Sequence, residues 1–308
     1  MAVADFTRFQ QLVAQNELQP QVADQLFKVL SSCEVVLLCD DSSTMGKAVI
    51  EEGADPFAPT RTTRWSELKK LASIVIEFVT AINPNGLDIY FLNRPEIRGV
   101  TTPAGLQGVF SLPPNGLTPL IGALRRIYED KKHIPSDLNL LIVVITDGEP
   151  TDGTRADLYN ALYYKRSNVH VSFAECTDNA EDMEYLDQWD GRIPFFDNTD
   201  DYREELMRVK NAQGPDFKFD YTDYVIKILL ATFVKRYFNL DQVKVSPNVP
   251  LPSSTRQFPQ PQPVRYQAPP PYQPPMLPSN SITVAPAPSQ VIISSYRPKK
   301  EKDTCSLL

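Results

Sequence analysis

Two apolar runs set the pattern of the chain. Val35 to Cys39 (V-V-L-L-C) and Leu138 to Ile145 (L-N-L-L-I-V-V-I) are short and rich in Val, Leu and Ile, and both stop abruptly at polar residues. Runs of this length read as strands buried on both faces of a mostly parallel sheet. Between them the period changes. Leu68, Leu71, Ile74, Val75, Phe78, Val79 and Ile82 recur at steps of three and four, which predicts a long helix capped by Ser66 and ended by Asn83-Pro84-Asn85-Gly86. Leu87 to Leu92 reads as a strand and Ile97 to Val100 as a short edge strand. A helix follows Pro119 through about Glu129, with Leu120, Leu124 and Ile127 inward. Further along come a helix over 152–165, a strand from Val169 to Cys176, a helix over about 181–189 and a strand from Ile193 to Phe196. An amphipathic helix over 220–238 closes the pattern, and two short helices fill 4–31. Residues 46–64 and 105–114 read as loops. His170, at a strand position, reads as structural rather than as a ligand. Strands alternating with helices predict an α/β domain whose sheet is covered on both faces.

The polar ends of the two runs carry the candidate chemistry. In an open α/β sheet, ligands bind beyond the carboxyl ends of strands. The first run ends at Asp40-Asp41-Ser42-Ser43-Thr44. A carboxylate and two hydroxyls at alternate positions (Asp40, Ser42, Thr44) suit a hard cation that takes oxygen ligands and keeps some water. The same residues also suit a polar turn that caps the next helix. The second run ends at Thr146-Asp147-Gly148, and the turn Asn115-Gly116-Leu117-Thr118-Pro119-Leu120 lies between them.

D-x-S-x-T, then G-x-T-P-L, then an apolar strand ending in T-D-G resembles the von Willebrand factor A domain over roughly residues 34–240. The resemblance implies a three-layer, doubly wound fold with a mostly parallel central sheet flanked by helices. It also implies a metal-ion-dependent adhesion site at Asp40, Ser42, Thr44, Thr118 and Asp147, holding Mg²⁺ or Mn²⁺. Thr44 stands where the family more often has Ser, with equivalent lone pairs. The implied function is binding, not catalysis: a partner protein offers an acidic residue to the cation. The alternative is a Mg-dependent phosphohydrolase, because D-x-(oxygen)-x-T also resembles the haloacid-dehalogenase phosphatases. Those need an acid/base Asp two residues after the nucleophile, and here that position is Ser42, which cannot protonate a leaving group at neutral pH. A GTPase is excluded by the lack of G-x-x-x-x-G-K-[ST].

Composition narrows the partners. The net charge of −7 over 308 residues argues against nucleic acid, which needs a basic face. Four cysteines and two histidines show no zinc spacing, and no disulfide framework is expected. The N-terminus lacks a basic stretch followed by an apolar core, and no apolar run approaches the roughly 18 residues of a membrane span, so a cytoplasmic protein is expected. The expected organisation is an N-terminal helical segment (1–33), the main domain (34–240) and a tail (241–308). Pro247 to Pro298 is dense in Pro, Gln and Ser and too poor in apolar residues to offset its ordering entropy, which predicts an extended, disordered tail. Its last four residues, Cys305-Ser306-Leu307-Leu308, match a prenylation signal at Cys305, with the final Leu favouring geranylgeranyl. Arg297, Lys299, Lys300 and Lys302 could add the second signal that stable anchoring on the cytoplasmic face of a membrane needs. Pro269-Pro270-Pro271-Tyr272 fits P-P-x-Y, the pattern WW domains read, and marks Pro269, Pro270 and Tyr272 as partner contacts. The expected function is thus a metal-dependent adaptor tethered to a membrane surface.

Overall fold

The first apolar run lies at the centre of the sheet. In the computed structural model, which describes residues 6–50, 61–177 and 183–245, this run forms β1 (Cys33–Cys39). It pairs in parallel with β4 (Leu87–Phe91) on one side and β6 (Asn139–Thr146) on the other. β7 (Val169–Glu175) and β8 (Phe196–Thr199) extend the parallel sheet beyond β6. β5 (Ile97–Val100) pairs antiparallel with β4 at the other edge, so the order is β5-β4-β1-β6-β7-β8. Successive residues of β1 enter different cores. Val35, Leu37 and Cys39 pack with α2 (Pro20–Ser31), α3 (Arg64–Ile82) and α9 (Tyr221–Leu230). Val36 and Leu38 pack with α5 (Leu120–Asp130) and α6 (Arg155–Tyr163) on the opposite face. Burial on both faces explains why the run is continuously apolar instead of alternating. The fold is the expected three-layer, doubly wound α/β arrangement.

Several elements depart from their sequence reading. α1 (Phe6–Gln15) packs on α3, and α2 on β1, α3 and α9, so this pair joins the helical layer over the central strand. Phe9 is buried there, whereas Phe6 is exposed. The long helix is capped three residues early: Thr63 Oγ1 accepts the Ser66 N–H at 3.1 Å. Residues 46–64 are not all loop, because β2 (Ala48–Ile50) and β3 (Arg61–Thr63) form a two-stranded antiparallel sheet. Three-residue strands carry too little periodicity to announce themselves. The stretch 105–114 holds the short helix α4 (Gln107–Phe110), which buries Phe110 against Trp65. The last strand starts at Phe196, not Ile193, since Phe195 takes a left-handed conformation (φ 55°). Its residues Asp197, Asn198 and Thr199 are polar yet buried, which hid it from hydrophobic pattern. α7 covers only Glu184–Asp187, and α8 (Tyr202–Gln213) forms where the hydrophobic pattern predicts no helix. The final helix breaks after Leu230, with a short α10 at Lys235–Phe238.

Cys33, Cys39 and Cys176 are free buried thiols. Among the described residues, no helix is long and apolar enough to cross a membrane. The tail sites Pro269, Pro270, Tyr272 and Cys305 lie outside the described residues.

Candidate metal centre

The chain leaves β1 towards β4 on one side and returns to β6 on the other, so the ends of β1 and β6 flank the crevice where strand order reverses. This is where an open α/β sheet offers a ligand site. Register fixes the spacing. Cys39 sits opposite Ile145, and the Asp40 N–H donates to the Ile145 carbonyl at 2.9 Å. Asp40 and Thr146-Asp147 therefore emerge side by side.

From there a chain of hydrogen bonds links the two loops. Asp40 Oδ1 accepts the Ser42 N–H at 2.8 Å, a local turn typical of Asp, and Oδ2 accepts the Thr146 hydroxyl at 2.6 Å. The Ser42 and Thr44 hydroxyl oxygens lie 2.9 Å apart, and the Thr44 hydroxyl donates to Asp147 Oδ1 at 2.8 Å. With the Thr44 proton committed to Asp147, Ser42 is left as the donor to Thr44. Asp147 Oδ2 accepts from Arg64 Nη1 at 2.8 Å. Asp40, Ser42, Thr44 and Asp147 thus form one bonded string.

Thr118 belongs to the third loop and joins the others through neighbours. The Ser43 N–H donates to the Gly116 carbonyl at 3.1 Å, and the Gly116 N–H donates to Ser43 Oγ at 3.0 Å. The Thr118 N–H donates to Thr151 Oγ1 at 3.0 Å, and its carbonyl accepts the Thr151 N–H at 2.9 Å. Gly116 is required here: at φ 118°, a Cβ would fall 2.4 Å from Asn93 Oδ1. That same Asn93 donates its backbone and side-chain N–H to Asp41 Oδ1 at 2.8 and 3.1 Å, while Arg94 Nε lies 3.3 Å from Asp41 Oδ2. Asp41 thereby ties the loop after β1 to the loop after β4.

Burial pushes the Asp40 carboxyl up to about 6. Hydrogen bonds from Ser42 and Thr146 oppose that rise and the Asp147 charge adds to it. A cation against Asp40 would reverse the balance by favouring its charged form. The donor set fits a hard divalent ion: two carboxylates and three hydroxyls, all oxygen, with no thiol or imidazole among them. Arg64 and Thr146 are the residues that sequence reasoning missed. Thr146 lies within T-D-G, a pattern that by itself gives it no role. Arg64 had one local signal, a cation at the first position of a helix, where the macrodipole opposes it.

A second carboxylate group lies at the ends of β7 and β8. One oxygen each of Glu175, Asp187 and Asp200 fall within 4.8 Å of one another. The Asn198 amide donates to Glu175 and Asp187, both at 2.8 Å. Arg208 pairs with Asp187 at 3.0 Å and Asp200 at 2.9 Å. Burial pushes Glu175 up to about 9 and Asp200 to about 8. Arg208 and the Asn198 amide thus engage all three carboxyl groups, whose oxygens lie close enough together to hold a metal ion.

His170 is structural, as expected. Its ring stacks on Phe233 at 3.8 Å, and burial pushes its pKa down to about 4.

Comparison with known proteins gives structural likeness only. No protein-family model matches the chain. No curated protein sequence matches it. Among solved structures, it is similar to a von Willebrand factor type A protein from Catenulispora acidiphila, with 15% identity and a TM-score of 0.39. That match covers 65% of this chain and 42% of the other, so the chain spans less than half of that relative's length. It is also similar to the manganese-loaded TRAP protein of Plasmodium vivax, with 14% identity, a TM-score of 0.38, and coverage of 58% and 72% of the two chains. Likeness at this level says nothing about site chemistry. The architecture stands on the strand order and register of the chain itself.

Proposed function

We propose that the chain is a protein-binding module whose site holds a divalent cation, Mg²⁺ or Mn²⁺, through Asp40, Ser42, Thr44, Thr118 and Asp147. The observation that carries this reading is the string of short hydrogen bonds from Asp40 through Ser42 and Thr44 to Asp147 at the crevice between β1 and β6. These side chains are held by the sheet register, so a cation would meet a preorganised oxygen set. When bound, the cation supplies an electrophilic position that a partner's carboxylate completes. The residues' own roles follow from their bonds. Asp40 and Asp147 provide the charge, Ser42 and Thr44 provide neutral lone pairs, and Thr146 orients Asp40. Two carboxylates with hydroxyl neighbours, and Ser42 where a phosphatase needs its acid, favour binding over hydrolysis. The same reading places the chain at the cytoplasmic face of a membrane through a geranylgeranyl group on Cys305. Pro269, Pro270 and Tyr272 would there be open to a WW-domain protein. Both tail assignments rest on sequence.

Thermal unfolding of the full chain with and without Mg²⁺ or Mn²⁺ tests the centre. A ligand that binds only the folded state stabilises it by about 2.7 kcal/mol at a hundredfold excess over its dissociation constant. The expected result is a metal-dependent rise in melting temperature that Asp147→Ala and the milder Ser42→Ala both reduce. A rise unchanged in both variants would move the metal elsewhere in the chain.

A further inference from the structure

The carboxylate pair at the crevice already has a cation beside it. Arg64 Nη1 lies 2.8 Å from Asp147 Oδ2, and the two side chains are 4% and 0% exposed. Arg64 is the first residue of α3, where the aligned peptide dipoles present positive charge, and the Asp147 carboxylate offsets that unfavourable placement. Its backbone is engaged too: the Arg64 N–H donates to the Lys47 carbonyl at 3.1 Å, tying the start of the helix to the loop after β1. With Thr44 on Oδ1 and Arg64 on Oδ2, both oxygens of Asp147 are occupied by donors. A local preference of helices is set aside where doing so neutralises a proposed metal ligand.

The charge count gives the consequence. Among these three side chains, Asp40 and Asp147 bring two negative charges and Arg64 one positive, leaving one negative charge. A divalent ion arriving there turns this into one net positive charge. Asp41 does not alter the count, because Arg94 pairs with it.

Resting on the metal reading above, we propose that Arg64 is a built-in counter-cation of the centre. It competes with the divalent ion for Asp147 and leaves the loaded site positively charged until an anionic partner group neutralises it. Arg64 in this role is a positioning and tuning residue. It keeps Asp147 paired when no ion is present, holds metal affinity down, and makes an anion on the partner the completing ligand. The ion and the anionic partner then bind cooperatively, since each offsets the charge that disfavours the other.

The test is Mn²⁺ binding to the full chain, read from the electron paramagnetic resonance signal of free Mn²⁺, in the wild type, Arg64→Met, Arg64→Gln and Arg64→Lys. Gln keeps a donor to Asp147 without charge, which guards against a Met variant that does not fold. Lys keeps the charge without the planar fork. The expected result is Mn²⁺ affinity at least tenfold higher in the folded neutral variants and near wild type in Arg64→Lys. Melting temperature without metal should fall in the neutral variants and recover when Mn²⁺ is added. A merely structural arginine predicts the opposite sign, because loosening Asp147 weakens metal binding. Equal or weaker Mn²⁺ binding in the folded neutral variants, with the wild type binding, overturns the role of Arg64 alone. Binding by a neutral variant but not by the wild type supports it. No Mn²⁺ binding by any of the folded proteins removes the metal reading and this inference together.

Discussion

At the scale of single residues, burial decides the chemistry. His170 is enclosed by Phe233 and Phe195, and burial holds its pKa near 4, below the ordinary value of 6.5. Protonation therefore favours the unfolded chain. The stability tied to the neutral ring is fully present above pH 6.5 and is lost as pH falls towards 4, by about 3 kcal/mol at the limit. His170→Phe should flatten that part of the curve, seen as a smaller drop in urea midpoint between pH 7 and pH 4.5. A variant whose midpoint drops as much as the wild type's would show that the acid sensitivity lies in other groups. The residues of the candidate metal centre differ in how far sequence exposed them. Asp40, Ser42, Thr44 and Asp147 abut apolar runs, so an abrupt change from apolar to oxygen-bearing side chains marks them. Arg64 reaches Asp147 across 83 positions of sequence, and no local pattern carries a pairing of that range.

At the scale of elements, α9 shows what hydrophobic pattern conveys and what it omits. Val225, Ile228 and Leu229 point inward as their spacing requires. Lys227, which interrupts the apolar run, is also fully buried, against Glu205 of α8 at 3.0 Å and Asp241 at 3.4 Å. Burial works to lower its pKa, but the charges of Glu205, Asp197 and Asp241 outweigh that and hold the ammonium above its ordinary value. The lysine is thus the common partner of three acidic side chains, from α8, from β8 and from the turn after α10. Lys227→Met should destabilise the chain by about 3–5 kcal/mol at pH 7, the usual result of leaving buried charges uncompensated. The loss should shrink towards pH 5, because burial raises Asp197 to about 7 and raises Glu205, so both take up protons readily. Denaturant melts at the two pH values check it; an equal loss at both would mean that lysine packing, not charge, is what matters. β8 is the counterpart. Its buried F-D-N-T looks like a surface turn in sequence because its partners, such as Glu175 for Asn198, come from another strand.

At the scale of the whole molecule, acidic groups gather at one end of the sheet. Glu175, Asp187, Asp200 and Asp201 lie near the ends of β7 and β8, so several of the acidic side chains are wholly or partly withdrawn from solvent. Burial pushes Glu175 up to about 9 from an ordinary 4.5, so the folded state keeps its proton and stability falls as pH rises between those values. Glu175→Gln should remove this slope and stabilise the chain by up to about 3 kcal/mol near pH 7, with little change at pH 4.5. Melting temperatures of the two proteins across that range decide it, and a constant difference would refute the assignment. The layer order of the fold was legible in sequence because each central strand is buried on both faces and each main helix has an apolar stripe. Exact ends were not, since caps such as Thr63 depend on single hydrogen bonds. The pairing of Cys39 with Ile145 has a further consequence. Sliding β1 by one position would exchange the contents of the two hydrophobic cores as well as part Asp40 from Thr146. The spacing of the crevice is therefore proofread by the interior. Substitutions in the loops can change which atoms face a ligand, while the gauge between the two strand ends stays set in every molecule that folds.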